Sequence, residues 1–211
     1  MRRILKSLFL TVIGLVAALG IIAGYYAYKY YQLYLFPDIS VYEDIEQRVV
    51  AARKIVGRRG LSQKYCFFLD YSIPSGTPRL FVWDFEEEKI VVSTYAMHGS
   101  GGGSTDEKPV FSDRHGSHCS SLGRFAVTHQ HGTKNKSGYF LRGLDFSNRT
   151  ARARGLMIHK SRWVDANCWR RYIPLNSRSC MGCVTISSRG MDYIGRIMKG
   201  EQKEILLWSY E

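Results

Sequence analysis

The sequence predicts a mostly β domain, a sandwich or barrel with short helices, behind one N-terminal transmembrane helix. Two features carry that expectation. One is an uncharged apolar run near the start of the 211-residue chain; the other is a succession of short β-rich runs, punctuated by turns, from Tyr65 onward. Hydrophobic residues at 45% and charged residues at 23% are the balance of a folded chain, which excludes wholesale disorder. The 20 glycines and 5 prolines follow no period, so a collagen-like reading fails, and 5 cysteines are too few for a disulfide scaffold.

From Ser7 to Tyr28 the chain carries no charge. As a helix rising about 1.5 Å per residue this run extends about 33 Å, enough to cross a hydrocarbon core. Arg2, Arg3 and Lys6 precede it, the cytoplasmic flank under the positive-inside rule, and Tyr25, Tyr26, Tyr28, Tyr30, Tyr31 and Tyr34 form an aromatic belt beyond it. A signal peptide cleaved near Ala17-Ala18-Leu19-Gly20 competes, but the apolar run continues past that point. A buried core helix is the other alternative, for which the run is long. Residues 1–36 are therefore read as a cytoplasmic tip and a signal anchor, with the remainder outside.

The formal charge is +12, which points to a polyanionic neighbour: nucleic acid, an anionic membrane surface or an acidic wall polymer. Without residues 1–36 the chain keeps 26 of its 30 basic residues against all 18 acidic ones, a net +8. The excess is scattered in small runs such as Arg58-Arg59 and Arg170-Arg171, without a recognition helix or an aromatic-basic RNA signature, so no nucleic-acid partner is expected.

Residues 37–62 read as an amphipathic helical linker: Ile39, Val41, Ile45, Val49, Ala52 and Val56 recur at helical spacing, and Gly57 or Gly60 ends the pattern. The main domain spans 63–211. Its expected strands are Tyr65–Leu69, Arg79–Phe85, Ile90–Met97, Gly123–Thr128, Tyr139–Leu144, Leu156–Lys160 and Ile205–Tyr210, with Glu86-Glu87-Glu88 at a hairpin turn. Ser187 or Ser188 caps a short helix that closes near Gly200. The loop Gly99-Ser100-Gly101-Gly102-Gly103 lacks the Lys-Ser/Thr of a phosphate-cradling loop, so nucleotide is not expected there.

Cys183 and His159 are the candidate nucleophile and base. A thiol attacks as thiolate, and a neighbouring imidazole both favours that form and accepts its proton. His159 near the end of one strand and Cys183 at the start of the next would meet across neighbouring strands. Gly182 lets the backbone approach a substrate carbonyl, and the amides of Gly182 and Cys183 are candidates for holding an oxyanion. On spacing alone, a buried structural cysteine and a satisfied core histidine explain the pair as well.

Several segments decide between these. Val110-Phe111-Ser112-Asp113, Gly116-Ser117 and Ser120-Ser121-Leu122-Gly123-Arg124-Phe125 come first, then Leu141-Arg142-Gly143-Leu144-Asp145, Asn148 and Ala151-Arg152-Ala153-Arg154. Ile158-His159 and Gly182-Cys183-Val184-Thr185-Ile186-Ser187 follow. In this order, from about Cys66 to Tyr210, they resemble the L,D-transpeptidase catalytic domain (YkuD-like), in its branch of small exported bacterial proteins. The resemblance implies a cysteine acyltransferase working on peptidoglycan stem peptides without a cofactor, with Cys183 as nucleophile and His159 as base. It implies a single-pass protein of the bacterial cytoplasmic membrane with its catalytic domain on the periplasmic or extracytoplasmic side. Arg178 and Ser179, leading into the nucleophile, are candidate substrate-binding residues. Cys180 and Met181 depart from the wider family, which has Ser/Thr and His there, and the 24-residue step from His159 to Cys183 is longer than usual, with the extra residues around Cys168-Trp169-Arg170-Arg171.

Carboxypeptidase or peptidase action at the same site, and a catalytically silent wall-binding module, are the alternative expectations. Cys180-x-x-Cys183 as a redox pair lacks a thioredoxin-like βαβ setting. His115, His118, Cys119, His129 and His131 do not form two well-spaced ligand pairs, so the histidines are read as solvated loop residues and no metal is expected. With Cys183 free, Cys66, Cys119, Cys168 and Cys180 allow three pairings, and a Cys180–Cys183 bond would block the nucleophile.

Overall fold

A computed structural model describes residues 2–35, 39–131, 138–175 and 180–211. It forms two compact units, Met1–Phe36 and Pro37–Glu211. The first is a helix, α1 (Arg2–Leu35). Its stretch Arg2–Tyr28 is long and apolar enough to cross a membrane, a test that a signal sequence also passes. Leu8, Leu15, Leu19 and Ile22 on it are all exposed.

The second unit begins with α2 (Ile39–Arg59). The helical spacing of Ile45, Val49, Ala52 and Val56 makes an apolar stripe, and all four are buried against Cys66, Phe68, Phe81, Trp83, Leu206 and Tyr210 of the sheet. A fully buried aliphatic side chain such as Ile45 contributes about 1.5–3 kcal/mol. The helix stops where Gly60 takes φ +65° and the Leu61 amide reaches back 3.0 Å to the Val56 carbonyl, a Schellman turn.

Among the described residues nine strands follow: β1 (Tyr65–Asp70), β2 (Leu80–Asp84), β3 (Lys89–Thr94), β4 (Ala96–Met97), β5 (Gly123–His131), β6 (Gly138–Gly143), β7 (Met157–Lys160), β8 (Val184–Ile186) and β9 (Ile205–Tyr210). They make one sheet in the order β3-β2-β1-β9-β5-β6-β7-β8-β4. β3 and β4 lie at opposite ends of that order, yet only Tyr95 separates them in the chain. The sheet must therefore curl until its ends nearly meet, giving a nearly closed barrel that protects its edges. Glu86, Glu87 and Glu88 lie in the turn between β2 and β3, where the Asp84 carboxylate accepts the Glu86 and Glu87 amides.

Two short helices complete the unit, α3 (Arg162–Asn167) and α4 (Ser188–Gly200). Ser187 caps α4 by accepting the Gly190 amide at 3.0 Å. One face of α4, with Met191, Ile194 and Met198, packs into the main core beside Leu69, Phe125, Leu141, Ile158, Val184, Ile186 and Leu207. Gly190 lies so close to β3 that an added Cβ would meet Thr94 Oγ1 at 2.2 Å. The alternation along β7 and β8 thus buries Ile158, Val184 and Ile186 on the α4 side and turns His159 and Thr185 to the other face.

Candidate active site

β7 and β8 run parallel with His159 opposite Thr185 and Ile158 opposite Val184. Cys183 immediately precedes β8 and lies two residues before Thr185, so strand alternation turns Cys183, Thr185 and His159 to one face. Cys183 is only 6% exposed and Thr185 is fully buried, while His159 is half-buried.

Hydrogen bonds fix the imidazole. His159 Nδ1 lies 3.1 Å from the Lys160 carbonyl, which can only accept, so Nδ1 carries the ring proton. Nε2 lies 3.3 Å from the Thr185 hydroxyl.

Thr185 also reaches Cys180, its Oγ1 3.6 Å from Sγ, and the Cys180 thiol donates to the Cys183 carbonyl at 3.3 Å. Burial pushes the Cys180 thiol up to about 12, although the Thr185 hydroxyl and the Gly182 amide pull it back. Cys180 is therefore a protonated, buried strut under the loop that carries Cys183. No disulfide joins any of Cys66, Cys119, Cys168, Cys180 and Cys183 in this structure.

Gly182 is required on two counts. Its φ of +93° is strained for any other residue, and an added Cβ would fall 2.3 Å from the Cys119 carbonyl oxygen and 2.8 Å from Arg154 Nη2. The space beside it is held by the protein's own backbone and a guanidinium. Arg154 is half-buried; its Nη1 donates to the Ser112 carbonyl (2.7 Å) and to Ser121 Oγ (2.8 Å), and its Nη2 donates to the Cys119 carbonyl (2.5 Å). Burial lowers its pKa, and the charges of Asp113, Cys119 and Cys183 oppose that.

The glycine-rich loop has a mechanical role. Ser100 donates both its amide (3.0 Å) and its hydroxyl (3.1 Å) to the Cys180 carbonyl. Gly99 and Gly101 press against the backbone of 117–120, where added Cβ atoms would fall 2.4 Å from the His118 oxygen and 1.8 Å from the Ser117 oxygen. The loop thereby clamps the turn that carries Cys183 to segment 117–120.

A buried cation lies behind this turn. Arg79, 1% exposed, donates Nε to the Ala96 carbonyl (2.7 Å), Nη1 to the Ile73 carbonyl (3.1 Å) and Nη2 to His98 Nδ1 (3.0 Å). His98 Nε2 faces the Thr105 carbonyl at 2.8 Å, so Nε2 carries the proton and Nδ1 accepts from Arg79. Burial, reinforced by the Arg79 charge, drops His98 to about 4; burial alone takes Arg79 down to about 10. The Arg79 guanidinium sits 5.0 Å from the Tyr71 ring, and Tyr71 donates to Ser120 Oγ at 3.3 Å.

The sequence readings at this site separate cleanly. β7, which carries His159, pairs with β8, which Cys183 immediately precedes. Arg178 and Ser179 lie outside the described residues, as does the side chain of His131. His115, His118 and His129 are exposed, and among the described residues no group of three metal-binding side chains comes together. The segment Cys168-Trp169-Arg170-Arg171 follows α3 and is tied to a turn after β1, the Gly76 amide donating to the Arg171 carbonyl at 3.0 Å. Arg79, His98, Ser100 and Thr185 were not singled out by sequence reasoning, because only tertiary packing gives them their neighbours; Arg154 stood out only as part of a basic run.

The family profile described as L,D-transpeptidase catalytic domain matches residues 40–208. Among solved structures, the chain is similar to the helical cell shape determining protein Pgp2 from Campylobacter jejuni (11% identity, TM-score 0.46, covering 70% of this chain and 48% of that one). It is also similar to an L,D-transpeptidase from Xylanimonas cellulosilytica (17% identity, TM-score 0.39, covering 74% and 68%). The chain thus spans about half the length of the Campylobacter protein. No curated protein sequence matches it.

Proposed function

The chain belongs to the L,D-transpeptidase catalytic domain family, and from that premise we propose that it transfers acyl groups between peptidoglycan stem peptides through a thioester on Cys183. The observation that supports this reading is the β7–β8 register, with Cys183, Thr185 and His159 on one face and His159 Nε2 3.3 Å from the Thr185 hydroxyl.

His159 accepts the thiol proton at Nε2, and the sulfur attacks the carbonyl that precedes a terminal D-alanine. A carbon–sulfur bond forms, and the carbonyl oxygen takes the negative charge, held by the amides of Gly182 and Cys183. As the intermediate collapses, the carbon–nitrogen bond breaks and His159 returns the proton to the leaving amine. An amine of a second stem then displaces the sulfur, giving a cross-link. Water in its place gives L,D-carboxypeptidase action at the same site. Arg178 and Ser179 are proposed as substrate contacts. No cofactor enters this chemistry.

We further propose that α1 anchors the chain as a single span. Arg2, Arg3 and Lys6 stay in the cytoplasm, and the catalytic domain faces the wall on the outer side of a bacterial cytoplasmic membrane. The net +8 beyond residue 36 favours proximity to anionic wall polymers or headgroups.

Product analysis tests the reading. The full-length chain in detergent micelles, given a disaccharide-tetrapeptide, should release D-alanine and form a cross-linked dimer or a tripeptide, and Cys183→Ala should abolish both. Turnover that survives in Cys183→Ala would exclude the thioester route, and wall binding without any turnover would favour a silent module.

A further inference from the structure

Arg154 occupies an unusual position for a surface-loop arginine. Three neutral acceptors anchor its guanidinium: the Ser112 and Cys119 carbonyls and the Ser121 hydroxyl. The nearby Asp113 carboxylate turns instead to Thr150, accepting its amide at 3.2 Å and its hydroxyl at 2.6 Å. Among the described residues no carboxylate forms an ion pair with Arg154. Its Nη2 fills the space that a side chain at residue 182 would need, one residue from Cys183. A half-buried cation, fixed by neutral groups and short of a counter-anion, favours an anion beside it.

We propose that Arg154 is the built-in counter-charge that holds Cys183 as a thiolate. The inference rests on reading Cys183 as the nucleophile. The guanidinium acts by its fixed charge, and the glycine at 182 is what lets it approach. Among the described residues, Tyr71 beyond β1 and Cys180 in its own turn also lie near Cys183, with His159 on the paired strand β7 and Arg79 behind Cys180. Burial keeps Tyr71 and Cys180 protonated at neutral pH, so neither brings a charge to the sulfur there. Arg79 acts from behind the neutral Cys180 thiol, whereas Arg154 reaches into the space beside Gly182, one residue from Cys183.

The test reads the thiolate without any stem peptide. Iodoacetamide alkylates only the thiolate, forming a carbon–sulfur bond and expelling iodide, and peptide-resolved mass spectrometry follows Cys183 alone. The full-length chain in detergent micelles is titrated between about pH 5 and about pH 9, across the range of perturbed thiols. Arg154→Gln should move the Cys183 midpoint up by about one unit, a tenfold loss of thiolate below it, while Arg154→Lys should keep most of the wild-type midpoint. Ser121→Asp supplies a second arm that leaves Arg154 in place: a carboxylate at a position now 2.8 Å from Nη1 offsets the charge and should raise the midpoint, whereas Ser121→Asn should not. A Cys183 midpoint unmoved in both Arg154→Gln and Ser121→Asp would overturn the proposal. A low midpoint that depends on Arg154, in a protein that forms no adduct with stem peptide, would leave this inference standing and refute the acyl-transfer reading.

Discussion

Replacing Gly182 with alanine tests the geometry on which the site depends. Two penalties add there. A residue with a Cβ at φ +93° carries strain of about 1–3 kcal/mol. Its Cβ would also sit 2.3 Å from the Cys119 carbonyl oxygen, a backbone atom that cannot swing aside, and such overpacking costs about 1–3 kcal/mol. Together they amount to about 4 kcal/mol, a large part of the stability of a typical domain. Gly116 supplies the comparison. It has φ +74°, but nothing lies within 4 Å of its Cβ position, so Gly116→Ala should carry only the strain, about 1–3 kcal/mol. Urea unfolding followed by tryptophan fluorescence measures both variants in the full-length chain in micelles. At a slope of about 2 kcal/mol per molar, Gly182→Ala should lower the midpoint by about 2 M and Gly116→Ala by about 1 M or less. Equal losses would refute the reasoning, because they would mean that the Cys119 carbonyl does not press on Gly182.

Two further outcomes follow from the same contacts. Thr185→Val removes the hydroxyl 3.3 Å from His159 Nε2 while keeping the side-chain shape, so acylation should slow about tenfold at a cost of about 1 kcal/mol or less in unfolding; an unchanged acylation rate in stopped single turnovers would deny Thr185 its part in aligning the base. His98 lies near 4 in the folded chain, below its unfolded value near 6.5, so the unfolded chain takes up the proton first as pH falls. Stability should be fully present above about pH 6.5 and fall by about 3 kcal/mol on the way to about pH 4. His98→Asn should lose that part of the slope in urea titrations at several pH values, and an identical slope would contradict the burial of a neutral imidazole against Arg79.

Much of this was legible in the sequence because it is local. The run Ile205–Tyr210 is β9 as read, the apolar spacing from Ile45 to Val56 is the buried stripe of α2, and Ser187 is the cap of α4. Each of those signals depends only on neighbours within a few residues. Barrel closure through Tyr95 depends on pairing β4 with β8, nearly 90 residues on, which no local pattern encodes. α3 is six residues long, too short for a periodic signal. At the site, the sequence read Gly182 as letting the chain's backbone approach a substrate carbonyl; that the Cys119 carbonyl and Arg154 pack where its Cβ would lie required the fold. The glycine-rich loop was legible only by what it lacked; that Ser100 grips the Cys180 carbonyl required the fold. Arg79 sits amid apolar runs and reads as a strand-edge charge until its three neutral acceptors are seen.

The central claim is that Cys183 forms a thioester with a stem peptide, and the intact mass of the protein reads this directly. Full-length chain, reduced and incubated with a disaccharide-tetrapeptide, should gain the mass of the substrate less D-alanine, and Cys183→Ala should gain nothing. Folded protein with its Cys183 thiol free, showing neither adduct nor turnover, would contradict the account.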